Sequence, residues 1–81
     1  MSLQNEMRRV QLTNLEHTAK RLRMEIEDLA RIICINLDCS LKRPDELPVE
    51  EVDSQWDDLK SKWAELAVVS SNIQRLKTEL G

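Results

Sequence analysis

Few residues here are equipped for chemistry: one histidine, two cysteines and a scatter of carboxylates in 81 residues. His17 has no second histidine to work with and no cysteine close in sequence, so it forms neither an acid–base pair nor a metal-ligand set and reads as a solvent-facing helix residue. Cys34 and Cys39 lie five positions apart. On a single helix that spacing separates them by ~7.5 Å of rise and points them apart, which excludes a bridge between them. Both are expected to be reduced thiols, with Cys34 partly buried. Adjacent carboxylates such as Glu50–Glu51 and Asp57–Asp58 diverge on a helix and cannot share a substrate. The only glycine is Gly81, so no phosphate-cradling loop exists, and no CxxC, HExxH or GxSxG motif occurs. The sequence offers no catalytic residue, no metal site and no cofactor site, and an enzyme is not expected.

One constellation suits a ligand class. Arg8, Arg9, Lys20, Arg21 and Arg23, interspersed with Asn5, Gln11 and Asn14, make the first half of the chain basic and suit a polyanion. In architecture alone, such a chain resembles the small dimeric helical hairpins that bind RNA. Residues 1–43 hold eight Lys/Arg against six Asp/Glu, whereas residues 44–81 hold four against nine. Two helices of opposite charge lying side by side account for this split. Much of the basic charge also has an acidic residue four positions away: Glu16–Lys20, Arg21–Glu25, Arg23–Glu27 and Glu27–Arg31. Nucleic-acid binding through the five cations is therefore the second reading. A membrane surface is not expected, because the polar faces mix both signs.

The two tryptophans, Trp56 and Trp63, fall within WDDLKSKW, seven positions apart. A base-stacking platform needs exposed rings interleaved with cations. Two aspartates follow the first ring, so a core role is expected for both.

These residues must be positioned by helices. Charged residues make up 33% of the chain and Phe and Tyr are absent, a composition typical of long helices and coiled coils. Apolar residues recur at alternating spacings of three and four in two stripes. The first is Leu12, Leu15, Ala19, Leu22, Ile26, Leu29 and Ile33. The second is Val52, Trp56, Leu59, Trp63 and Leu66, then Ser70, Ile73 and Leu80. Between them lie the only prolines, Pro44 and Pro48, which stop one helix and open the next.

The sequence thus predicts an all-α fold formed from one domain over 1–81. Helix 1 is expected over about 3–39, a loop over 40–47 and helix 2 over about 48–80. Laid antiparallel with residue numbers summing to 88 or 89, the stripes match layer by layer, Trp63 against Ile26 and Trp56 against Ile33. A coiled-coil-like two-helix hairpin follows.

A lone hairpin buries too little to be stable, so two copies are expected to form a dimeric four-helix bundle. Apolar residues off the stripes supply the expected oligomer interface: Ala30, Cys34, Leu37, Ala64, Ala67, Val68 and Val69. Leu3, Met7 and Val10 form a separate stripe that reads as a docking edge for another helical protein. The expected role is a cytoplasmic, non-enzymatic assembly module acting as adaptor, small chaperone or regulatory subunit. No apolar run reaches the ~20 residues of a membrane span.

Overall fold

The computed structural model describes residues 3–81, which form two long helices and no strand. Helix α1 runs Leu3–Asn36, a short 3-10 turn spans Pro44–Glu46, and helix α2 runs Val49–Leu80. The helices pack against each other in an antiparallel rod of 63 × 15 × 15 Å.

Local chemistry sets the ends. Helix α1 stops at Asn36, three residues short of the expected end, because the Asp38 carboxylate accepts hydrogen bonds from the Ser40 N–H at 2.9 Å and from its hydroxyl at 2.6 Å. A side chain that captures backbone donors two residues on favours a turn over further helix. Cys39 therefore lies in the loop. Arg43, preceding Pro44, is extended (φ −73, ψ 151), as the proline ring requires. Pro48 flanks α2, whose first turn carries Glu50 and Glu51 at the positive end of the helix. At the other end the Gly81 N–H donates to the Lys77 carbonyl at 2.9 Å.

The first stripe lies where the spacing predicts it. Ala19 and Leu22 are buried (1% and 0% exposed), with Leu12 and Leu15 packed against them. The second stripe does so only in part: Ile73 is buried and Val52, Leu59, Leu66 and Leu80 are half-buried. Val69, Ile73 and Leu76 are buried, whereas Trp56 and Trp63 are 48% and 64% exposed. The expectation that both indoles fill the core is wrong.

Helix α2 carries two overlapping stripes that share Val52, Leu59, Leu66, Ile73 and Leu80. One is completed by Trp56, Trp63, Ser70 and Lys77, the other by Gln55, Lys62, Val69 and Leu76, about 100° away on the helix. A straight helix can seat only one. Seating the tryptophans would put bulky rings between the helices, and would turn Ser70 and Lys77 inward. The observed choice covers Val69 and Leu76 and leaves Gln55 and Lys62 half-buried.

Those two polar positions find partners. The Asn36 side-chain amide donates to Gln55 Oε1 at 3.0 Å, and Lys62 Nζ meets Glu25 Oε2 at 2.6 Å. With the Arg8–Glu79 pair at 3.6 Å, they fix the register. The residue numbers sum to 87 or 91, which brackets the register expected from the sequence. Lys62 lays its alkyl stem along the seam while its ammonium reaches the edge. The Lys62 bond and the Arg21 guanidinium beside it hold the Glu25 carboxyl below its ordinary range, against a smaller opposing effect of desolvation.

Candidate interaction surface

The five cations expected to form a basic cluster differ in their pairing. Arg21 pairs with Glu25 at 3.0 Å and Arg8 with Glu79 across the helices. Two expected pairs do not form: Glu27 bonds Arg31 rather than Arg23, and Glu16 makes no ion pair with Lys20. A carboxylate offered two basic neighbours at i−4 and i+4 can be taken by the one downstream, the better orientation for a helix. The five cations also spread around α1. Arg23 flanks a groove with Ser70, Gln74 and Lys77, while Arg21 lies on the opposite side, with Asp28, Asp58 and Lys62.

These two grooves name the flanks of the rod. The heptad carries Glu16 and Arg23 on to Ala30 and Leu37, and it carries Lys77 and Ser70 back to Trp63 and Trp56. Along one flank, then, the terminal half is polar and basic and the loop half is apolar. Trp56 and Trp63, with Leu59 and the stem of Lys60, line an almost wholly apolar hollow there. Leu37, just past the end of α1, is exposed, and Ala30 on α1 is half-buried. Cys34 is exposed, not partly buried, because it lies one helical step outside the Ala30–Leu37 line.

The expected oligomer interface thus divides. Ala30, Cys34, Leu37 and Ala67 lie on the tryptophan flank. Ala64 faces directly away from α1, and Val68 is exposed toward the other flank. Val69 is withdrawn from the surface, buried against Ala19, Leu22 and Ile73 within the hairpin. The tryptophans are what the sequence reading missed. The signal was present in the alternative stripe that Val69 and Leu76 complete.

Leu3, Met7 and Val10 are exposed and line a shallow apolar depression on α1 with Glu6, Gln11 and Asn14. In the register of the Arg8–Glu79 pair, α2 ends level with Met7, and Leu3 lies beyond it. Among the described residues no cluster of His, Cys, Asp or Glu is placed to hold a metal ion, and no helix is long and apolar enough to cross a membrane.

Charge divides along the axis as well as between the helices. Residues 3–23 and 66–81, the terminal half, hold seven Lys/Arg against three Asp/Glu. Residues 24–65, the loop half, hold five against twelve. The rod is a dipole, +4 at one end and −7 at the other.

No known protein family, curated protein or solved structure matches this chain.

Proposed function

We propose that the chain is a non-enzymatic assembly module: a helical hairpin that self-associates and serves a protein partner as adaptor, small chaperone or regulatory subunit. One observation carries this reading. Among the described residues the hairpin buries only Ala19, Leu22, Val69, Ile73 and Leu76, yet leaves both tryptophans exposed around a common apolar hollow. Two indoles on a neighbouring pair of turns are apolar area of the kind that drives association and is enriched at the centres of interfaces. Single exposed apolar residues are ordinary, whereas a contiguous patch on so small a chain has a use.

A thin core points the same way. A chain of this length gains much of its stability from further burial, and the surplus apolar surface lies where a second hairpin would complete a bundle. The Leu3–Met7–Val10 stripe, outside the paired layers, is the surface left for a different helical protein.

Sedimentation equilibrium across nanomolar to micromolar concentration tests the reading. A reversible rise in mass to a defined oligomer supports it. A monomer of 9.5 kDa with full helical signal throughout contradicts it. Tight, steeply salt-dependent binding to RNA or duplex DNA, lost when Lys20 and Arg23 become Gln, would instead favour a nucleic-acid role for the basic half.

A further inference from the structure

Resting on the self-association reading, we infer that the second copy docks antiparallel on the tryptophan flank, with the twofold axis passing between Trp56 and Trp63. Parallel docking would lay the two −7 loop halves side by side. Antiparallel docking about this axis carries residues 35–53 of each copy, two Lys/Arg against six Asp/Glu, over the basic half of its partner, which is the electrostatically favoured orientation.

The position of the axis follows from the patch. A twofold interface presents the same surface on both copies, so an apolar patch is matched only when it lies on the axis. Full overlap of the two rods would instead put each tryptophan pair against the partner's Arg23, Gln74 and Lys77, a polar surface. Centring on the patch places each indole pair against the other.

That register makes a second match that did not enter the choice of axis. The cross-helix pairs put Trp63 level with about residue 24 and Trp56 level with about residue 35, so the axis lies near the level of residues 29–30. Asp53, on the tryptophan flank one turn before Trp56, is level with about residue 38. The twofold carries it to about the level of residue 21 on the partner, within two residues of Arg23. Asp53 and Arg23 each lack an ion pair within the hairpin among the described residues, and both lie on this flank. The twofold makes two such pairs, one at each rim of the apolar centre. Charges at a rim set orientation and register more than affinity.

Double electron–electron resonance on a chain labelled at Cys39, with the near-isosteric Cys34→Ser to leave one thiol and both tryptophans kept, tests the geometry. The end of α1 at Asn36 lies about seven helical levels from the axis, which separates its two copies by about 20 Å along the rod. The loop carries the Cys39 labels farther out, to about 25–35 Å. Labels within about 15 Å, roughly one helix diameter, would mean parallel docking. A separation near 55–60 Å would mean full overlap. Either overturns this inference and leaves self-association standing. Absence of dipolar coupling at a concentration where sedimentation finds only monomer would overturn self-association itself. In the second arm, Asp53→Arg and Arg23→Asp should each weaken dimerisation roughly tenfold, and the combination should recover most of the loss. A combined variant as weak as the two effects multiplied would overturn the Asp53–Arg23 pairing.

Discussion

In the terminal half of the rod, Ala19, Leu22, Val69 and Ile73 close on one another, with Leu12, Leu15 and Leu66 packed around them. In the loop half, the equivalent seam positions of α2 are Gln55 and Lys62, which meet Asn36 and Glu25 by hydrogen bond and ion pair. The apolar bulk of that half, Trp56 and Trp63, faces out. The same heptad frame therefore yields a dry core at one end and, at the other, a polar seam with its hydrophobic surface turned toward solvent. One helix cannot turn by 100° halfway along its length, so the half with better small-residue packing sets the rotation of the whole. Burial is concentrated in the first region, and the exposed apolar surface proposed for association in the second.

Leu22→Ala would break the comparison most severely. It deletes the most completely covered side chain and should cost ~2–5 kcal/mol in urea denaturation, a large share of what so small a fold possesses. A cost below about 1 kcal/mol would mean that the terminal half is not the stable region. Filling the polar seam tests the other end. Gln55→Leu combined with Lys62→Leu, with Asn36→Leu and Glu25→Leu opposite, should raise stability by about 1–3 kcal/mol. Lower stability would show that those polar contacts hold the loop half together.

Trp63→Ala sharpens the contrast with Leu22. Measured at a concentration that keeps the hairpin monomeric, it should change stability by no more than about 0.5 kcal/mol, as for a surface position. The same substitution should largely abolish concentration-dependent association. A core-sized loss in the monomer would put the indole back inside.

The smallest expected effect concerns acid. The Lys62 bond lowers the Glu25 pKa, so the folded chain holds that proton less tightly than the unfolded chain. The contribution is complete above the ordinary glutamate value of about 4.3 and disappears as pH falls through the lower folded value. Glu25→Gln should make the acid decline of the denaturation midpoint shallower while hardly changing its salt sensitivity elsewhere. An unchanged acid profile would mean that the Glu25–Lys62 pair is not linked to folding.

Much of this architecture was legible in the residue order. The stripe from Leu12 to Ile33 has one apolar solution, and Pro44 and Pro48 allow one place for the turn. The antiparallel register was legible as well, because both seams carry a repeat of seven and the loop fixes their offset. The facing of α2 was not. Its shared positions, Val52 to Leu80, are compatible with two rotations, and counting apolar residues does not choose, since Trp56 and Trp63 complete one and Val69 and Leu76 the other. Deciding between them requires knowing how closely the helices approach at Ala19, which is a property of the packed pair. That ambiguity carried Val69 to the expected interface and the tryptophans to the expected core. Helix charge pairing was half legible for a related reason: Glu27 has a basic residue on either side along the helix, and spacing alone does not choose between Arg23 and Arg31.

The central claim is that the indoles are exposed in a single hairpin and covered by a second copy. The chain contains no tyrosine, and both tryptophans lie in the patch, so intrinsic fluorescence reports on that surface alone. Emission and acrylamide quenching should be followed from nanomolar to high micromolar concentration, in parallel with helical circular dichroism. The account predicts red-shifted, readily quenched emission in dilute solution, moving to shorter wavelength and losing quencher access over the range in which mass doubles. Emission already blue and protected in the dilute monomer, or still red and quenchable in the dimer, would contradict it.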